Sequence, residues 1–368
     1  MNRKSMANDR RLMSILLGAV IFCGSSALCS AQSSDLPGVS VRIVTDEAEA
    51  VLNILAKKKA GEPVGEGDWQ QLFASEGYIR LKKRETQIVQ MYKEADPFDD
   101  TIFKTFVLSD DLAKREDALA ETLQRWKQAD VSAAARRALA YLPRRAQIRA
   151  KIYPVIKPGT NSFVFELKTD PAIFLYLDSE VSKEKFENTL AHELHHIGYR
   201  SSCPSAQTAA EISNLPPNVQ RAITWIGAFG EGFAILAAAG GPDIHPHAVS
   251  QPKERARWDR DMANYNADFK KVDQFLVDVL ENRLSEQAEQ ETWASFLGIQ
   301  GPWYTVGWKM SVTIEKTFGR AKLIECICDN RKLLPTYNKA TAKHNRASQE
   351  RLATWSSDLI KRIARSSS

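Results

Sequence analysis

The sequence predicts an α+β fold that is mostly helical, with one small mixed β-sheet between helical N-terminal and C-terminal regions. Two observations support this class. Long stretches on both sides of the middle repeat apolar residues at spacings of three and four, as amphipathic helices do. Three short runs in between, at residues 147–156, 162–167 and 172–177, are rich in Ile, Val, Phe and Tyr and are separated by turn-forming segments, as strands are.

The first 31 residues have the order of a secretory signal peptide. Basic side chains precede an apolar run from Leu12 to Phe22, and the small-residue stretch ALCSA follows. We expect cleavage after Ala31 and export to the periplasm or the medium, with an uncleaved N-terminal anchor as the alternative. Cleavage would remove four basic side chains and one acid and leave a formal net charge of +2. This charge does not indicate a nucleic-acid partner, and we expect no stable membrane insertion of the mature chain.

The remaining chain divides into three predicted parts. Residues 32–145 form a helical N-terminal region, with one helix ending at Gly61. Residues 146–325 form a core that contains the sheet and the chemistry-bearing helices. Residues 326–368 form a C-terminal helical segment. Its apolar residues recur at helical spacing, which favours packing on the domain over membrane contact; they are Leu352, Trp355, Leu359 and Ile363.

Three of the six histidines lie in the segment HELHH at residues 192–196. A capping serine and an apolar periodicity predict that this segment is helical. On a helix His192 and His196 project from one face a single turn apart, close enough to bind one cation. Glu193 completes the H-E-x-x-H pattern, in which two histidines bind zinc and the glutamate is a general base. We expect His195 beside the site or at the surface; the alternative for the whole cluster is a polar patch.

A zinc site of this kind needs a third protein ligand, and Glu231 in FGEGFA is the best candidate. A carboxylate on this apolar predicted helix is costly to bury unless a cation meets it. The alternative is a glutamate at a helix rim, and Asp243, His245 and His247 in the next loop are rival ligands. Small residues would let another helix approach closely; these are Gly230, Gly232, Ala234 and Ala238.

Three cysteines remain after the predicted signal. In an exported chain Cys203 could pair with Cys326 or Cys328, which leaves one odd thiol. Three cysteines are too few for a disulfide scaffold, and Cys-Ile-Cys lacks the second pair of a zinc clip. A structural or buried role is therefore favoured.

The H-E-x-x-H motif with a downstream Glu-x-x-Ala, here Glu231 to Ala234, resembles the gluzincin metallopeptidases of the thermolysin-like group. YLPRRAQIRAKIYPVIKPGTNSFVFE, FENTLAHELHHIGY and FGEGFA resemble more closely a bacterial family of zinc-dependent peptidases of otherwise unknown function. The resemblance implies a zincin-like core whose sheet packs against the active-site helix. It also implies one zinc ion per chain, held by His192, His196 and Glu231, with Glu193 as the base and a peptide or protein as the substrate.

Two further expectations come with the gluzincin pattern. An extended peptide would add to a sheet edge, for which AIFLYLD at residues 172–178 is the candidate strand. A His or Tyr usually stabilises the oxyanion, and Tyr304, on a loop before a helix predicted from about Val306, is the candidate. The alternative is that Tyr304 only packs the C-terminal helices on the core.

The sequence thus favours an exported zinc-dependent metallopeptidase that hydrolyses peptide bonds. A zinc-binding protein without catalysis and a cell-envelope scaffold are the alternatives. The presence of Glu193 weighs against the first, because a pure binding site needs ligands but no base. Zinc is a preference, since two imidazoles and a carboxylate also accept other divalent ions.

Overall fold

The structure is a computed structural model that describes residues 36–91 and 97–365. The predicted signal peptide lies outside the described residues. These residues are mostly helical with one small mixed sheet, so the predicted fold class is confirmed. They form two compact units, described separately below. The first comprises the described part of Met1–Ala133 with Ile148–Glu187, and the second comprises Ala134–Gln147 with the described part of Asn188–Ser368.

The first unit combines a helical layer with the sheet. Its helices are α1 (Asp46–Ala60), α2 (Glu66–Phe73), α3 (Glu76–Met91), α4 (Asp100–Val107), α5 (Asp110–Ala113) and α6 (Glu116–Lys127). Two more helices, α7 (Val131–Leu139) and α8 (Lys183–Ser202), begin in this unit and end in the second. The strands are β1 (Val39–Ile43), β2 (Ile148–Val155), β3 (Phe163–Phe165) and β4 (Ala172–Tyr176).

The sheet has the order β1-β2-β4-β3. The first two pairings are parallel, and β3 pairs with β4 antiparallel. The three predicted strands are present within three residues of the predicted limits, and β1 was not predicted. The prediction that residues 172–178 form an edge strand was wrong, because β4 is paired on both sides. Its residues Ala172 to Leu175 are all buried, which is the pattern of an interior strand with both faces covered.

A buried acid lies on α1 in the first unit. The side chain of Glu47 is 1% exposed, and its Oε2 atom accepts a hydrogen bond from the Ile156 amide at 3.1 Å. Its Oε1 atom has no hydrogen-bond partner among the described residues. Burial raises the pKa of Glu47 well above its usual value, and only the Ile156 amide and the charge of Lys157 oppose the rise.

The second unit consists of helices and the loops between them, with no strand among its described residues. It continues with α9 (Ala206–Ser213), α10 (Pro217–Ile226), α11 (Gly230–Ala239), α12 (Pro252–Ala263), α13 (Tyr265–Leu280), α14 (Glu286–Ser295), α15 (Pro302–Phe318), α16 (Arg320–Cys328), α17 (Leu333–Ala347) and α18 (Ser357–Arg365). Four residues of the C-terminal segment are at most 5% exposed within its core: Leu352, Trp355, Leu359 and Ile363. The predicted packing of this segment is therefore confirmed.

One helical stretch within the described residues, Pro217–Ala239, is long and apolar enough to cross a membrane by length and composition. The core helix of a soluble protein passes the same test. Here 61% of the apolar window is buried inside the protein, and the stretch contains Glu231. We therefore interpret this stretch as two helices of the protein core, α10 and α11.

A disulfide joins Cys203, directly after α8, to Cys328 at the end of α16. Cys326 is a free, buried thiol. The expected pairing of Cys203 with one of the two later cysteines is thus present, with one odd cysteine left over. The bond ties the end of the helix that carries the three clustered histidines to a segment 125 residues away.

Candidate metal centre

The histidine cluster lies on α8, as the sequence predicts. The helix starts after Ser182, whose hydroxyl accepts a hydrogen bond from the Lys185 amide at 3.2 Å. Leu190, Leu194 and Ile197 form a buried stripe along it, at most 4% exposed. The stripe fixes the rotation of the helix, and it leaves His192 and His196 only partly buried on another face.

Three ligand atoms converge in the second unit. The Nε2 atoms of His192 and His196 are 3.0 Å apart, and Oε2 of Glu231 lies 3.2 and 3.3 Å from them. Zinc bonds of about 2.0–2.1 Å in tetrahedral geometry separate neighbouring ligand atoms by about 3.3 Å. The triangle therefore has the size that one tetrahedral cation requires. No other group of three potential ligands among the described residues converges in this way.

The charges of these side chains also fit a cation. Burial opposes charge on both partners, yet the carboxylate of Glu231 raises the pKa of His196 to about 9. Burial would likewise raise the pKa of Glu231, but the two histidines hold it well below its usual range. A partly buried carboxylate thus draws positive charge into the site, which a divalent cation could supply in place of a proton. The donor set of two imidazoles and one carboxylate suits zinc.

The start of α11 and the contacts of this helix determine the position of Glu231. It lies in the first turn, where the helix dipole favours negative charge, while Gly232 to Ala238 are all buried. The other end of α11 is held by Asn188 on α8, whose side-chain amide donates to the Ala238 carbonyl at 2.9 Å. Contacts at both ends therefore fix α11 along α8, with Glu231 facing the histidines.

Two glycines allow α11 and α15 to cross with their backbones in contact. A Cβ atom on Gly232 would lie 2.1 Å from the Trp308 amide nitrogen, and one on Gly307 would lie 2.7 Å from the Phe229 carbonyl oxygen. The predicted close helix approach thus occurs at Gly232. At Gly230 a Cβ would meet nothing within 4 Å, so that glycine is not needed for the approach. The crossing lies one residue from Glu231 and one turn from Tyr304.

Tyr304 lies beside the ligand atoms. Its ring stacks near His192 with centroids 6.5 Å apart, and its hydroxyl is close enough to Glu231 for that carboxylate to act on it. Burial and the charges of Glu231 and Glu193 raise its pKa well above the usual value, so the hydroxyl stays a donor at neutral pH. Its predicted loop position was wrong: α15 begins at Pro302, which places Tyr304 in the first turn of the helix.

Glu193 is partly buried on the same turn as the two histidines. Its charge acts on both His196 and Tyr304, so it is close to the ligand cluster. No hydrogen bond or ion pair to its carboxylate is present among the described residues. The carboxylate is therefore available to accept a proton from a water molecule in the site.

His195 is 1% exposed, which excludes the surface position that the sequence left open. Neither ring nitrogen has a partner at hydrogen-bond geometry among the described residues. Burial, together with the charges of His196 and His192, lowers the pKa of His195 to about 3, and the backbone of Tyr141 opposes this shift. Tyr141 in turn donates to Glu315 at 2.9 Å. Sequence reasoning missed Tyr141 because a lone tyrosine in YLPRR carries no motif.

The rival ligands lie elsewhere. Asp243 is 82% exposed and pairs with Lys316 at 2.7 Å. The Nε2 atom of His245 lies 3.0 Å from the Asp259 carboxylate. The Nδ1 atom of His247 lies 2.9 Å from the Ser250 hydroxyl. None of the three joins the ligand triangle.

A comparison with family models matches residues 69–346 to the family described as "Putative zinc dependent peptidase (DUF5700)". A comparison with curated proteins finds no match, and a comparison with solved structures finds none either. The family match spans most of the chain and includes the three ligand residues and Glu193. The chain therefore belongs to this family.

Proposed function

We propose that the protein is an exported zinc-dependent metallopeptidase of gluzincin type that hydrolyses peptide bonds. The convergence of His192, His196 and Glu231 on one point carries this proposal. These three residues would hold one zinc ion per chain. Glu193 lies next to the first ligand in sequence, where a general base is required.

A zinc ion bound there supplies Lewis acidity, which polarises a peptide carbonyl and lowers the pKa of water. The chain supplies the proton transfers. Glu193 takes a proton from the attacking water and later delivers it to the leaving amine. Its carboxylate has no competing hydrogen-bond donor among the described residues, which favours this role.

Tyr304 is proposed to stabilise negative charge on the carbonyl oxygen of the substrate. Its ring lies beside His192, and the charges of Glu231 and Glu193 act on its hydroxyl, which supports a position next to the ligand cluster. Because its pKa is raised, the hydroxyl remains protonated and can donate when the oxyanion develops. The raised pKa makes it a poor acid, so it is proposed as a hydrogen-bond donor and not as a proton source.

Export is supported by two features. The N-terminal 31 residues have the composition of a signal peptide. The disulfide between Cys203 and Cys328 is of the kind that persists in oxidising compartments such as the periplasm.

The test compares Glu193→Gln with the wild-type mature chain. Metal content is measured by elemental mass spectrometry, and hydrolysis is measured on an unfolded protein and on a mixture of quenched fluorescent peptides. We expect about one zinc per chain in both proteins, with hydrolysis in the wild type only. Glu184→Gln is the matched control, because it makes the same change on an exposed residue of the same helix.

Each result separates the proposal from its alternatives. Wild-type hydrolysis by Glu193→Gln would remove the proposed base. Zinc without hydrolysis in the wild type would favour a non-catalytic zinc-binding protein. Absence of zinc after reconstitution would leave a scaffold role and contradict the metallopeptidase proposal.

A further inference from the structure

Arg257 on α12 is a partly buried cation with no carboxylate at ion-pair distance among the described residues. Its Nε atom is buried and has no hydrogen-bond partner among the described residues. One Nη2 contact reaches Gln300 Oε1, at the long distance of 3.5 Å. No carboxylate oxygen of the described chain lies within 4.0 Å of the guanidinium. A guanidinium in this state has unused donors in a fixed planar fork.

Several other buried or half-buried arginines of the same unit are paired with carboxylates. Four of them contact a carboxylate at distances between 2.7 and 3.2 Å, namely Arg221, Arg320, Arg331 and Arg362. Asp261 lies one turn beyond Arg257 on α12. Burial raises the pKa of Asp261 and the charge of Arg257 opposes the rise, but the two side chains do not come within the 4.0 Å of an ion pair. Arg257 therefore differs from these four arginines in lacking a carboxylate at ion-pair distance among the described residues.

The contact to Gln300 places Arg257 at the loop that leads into α15. We call residues 296–301 the entry loop. Gln300 has a φ of +63°, a left-handed conformation that non-glycine residues rarely adopt. Next to it, a Cβ on Gly301 would lie 2.6 Å from the Phe296 carbonyl oxygen. Such a constrained loop is typical of functional sites, and it presents Ile299, which is 59% exposed.

The entry loop lies close in sequence to the proposed active site. Gln300 is four residues before Tyr304, so their Cα atoms are at most about 14 Å apart. An extended peptide covers that distance in about four residues. The neighbour of Arg257, Trp258, is 2% exposed and packs edge-on against Trp308 of α15 at a centroid distance of 5.6 Å. This packing holds α12, and with it Arg257, beside the helix that carries Tyr304.

We propose that Arg257 binds a carboxylate of the substrate, so that the site prefers peptides with an acidic side chain within about four residues of the scissile bond. This inference rests on the proposed peptidase function. The planar fork of Arg257 can hold a carboxylate through two parallel hydrogen bonds. Ile299 offers an apolar contact to the adjacent peptide residue.

The test measures binding separately from hydrolysis. The probes are heptapeptides blocked at both ends, built from Ala and Leu, with a single Glu or Gln placed at each position in turn. Binding is measured by isothermal titration on the zinc-loaded Glu193→Gln chain, which we expect not to cleave them. We expect the Glu peptide to bind about 10- to 100-fold more tightly than its Gln partner at one or two positions.

Arg257→Met in the same background should bring that ratio close to one while leaving the Gln peptide's affinity unchanged. Arg260→Met is the matched control, since Arg260 is an exposed arginine on the same helix. Arg257→Lys keeps the charge but loses the fork, and should keep only part of the preference. Unchanged zinc content and melting temperature in each variant show that the fold is intact.

The two proposals can fail separately. Equal binding or no binding of Glu and Gln peptides at every position overturns the role of Arg257, as does a preference that survives in Arg257→Met. Neither result would contradict the proposal that the wild type hydrolyses peptides. The wild type could also show the Arg257-dependent binding preference without cleaving any peptide. That result would support carboxylate binding by Arg257 and contradict the peptidase proposal.

Discussion

Gly232 and Gly307 bring the backbones of α11 and α15 into direct contact. A Cβ atom on Gly232 would lie 2.3 Å from the Gly307 carbonyl carbon, a distance that no real Cβ atom tolerates. Because Gly232 follows Glu231 and Gly307 lies one turn after Tyr304, this contact sets the distance between the proposed third ligand and the proposed oxyanion donor. The geometry of the site therefore depends on two residues that have no chemical role.

Gly232→Ala should force α11 and α15 apart. Overpacking against backbone costs about 1–3 kcal/mol, and the displaced carboxylate of Glu231 should weaken zinc binding as well. The measurements are the melting temperature and the zinc dissociation constant. Gly230→Ala is the control, because its Cβ would meet nothing within 4 Å. Equal stability and metal affinity in both variants would contradict the crossing as described.

Glu231→Ala should remove or sharply weaken zinc binding, while Asp243→Ala should leave about one zinc per chain. The reason is geometric, since Oε2 of Glu231 lies within 3.3 Å of both imidazoles and Asp243 pairs with Lys316 instead. Elemental mass spectrometry on the mature proteins gives the answer. Zinc retained in Glu231→Ala but lost in Asp243→Ala would transfer the third ligand to the loop after α11.

Local patterns explain what could be predicted here. His192 and His196 are one helical turn apart and Glu193 directly follows His192, so their common location follows from helix geometry alone. Glu231 is 35 residues further on, and it could be chosen because a lone acid on an apolar, glycine-rich helix demands a cation. The sequence signal for each of these residues is contained in its own helix.

The features that the sequence did not predict correctly depend on contacts between residues far apart in the chain. β4 was mistaken for an edge strand because its apolar run fits either position, and only pairing with β2 and β3 decides between them. β1 lies more than 100 residues before its partner β2, and its five residues give a weak signal. The role of Gly307 depends on which helix crosses α15, and the environment of Arg257 depends on the distant Gln300. No short segment carries that information.

Tyr304→Phe tests whether the hydroxyl acts in catalysis or the ring only packs. If it stabilises the oxyanion, kcat should fall about 10²- to 10³-fold with KM little changed and zinc content intact. The ring still packs near His192, so the fold should be unaffected. Trp308→Phe is a control for packing on the same helix. A kcat close to that of the wild type would assign Tyr304 to packing alone.

The disulfide should stabilise the second unit. Replacing Cys203 and Cys328 together by Ser opens a loop of 125 residues in sequence and should cost about 2–5 kcal/mol. A reducing agent should lower the melting temperature of the wild type and leave that of the double variant unchanged. Cys326→Ala, which removes only the free buried thiol, should keep the response to reduction. Insensitivity of the wild type to reduction would mean that the bond is absent in the purified protein.

Glu47 should make the stability of the first unit depend on pH. Its pKa is raised well above 4.5 in the folded chain, so from about pH 4.5 upward the folded state binds more protons than the unfolded state. Stability must therefore fall as pH rises through the folded pKa. Glu47→Gln keeps the oxygen that accepts from the Ile156 amide and removes the charge, and it should raise stability at pH 8 by about 1–3 kcal/mol. Thermal unfolding at pH 5 and pH 8 measures the effect, with Glu62→Gln as an exposed control. A gain in melting temperature that is the same at both pH values would show that the carboxylate of Glu47 is not the buried charge responsible.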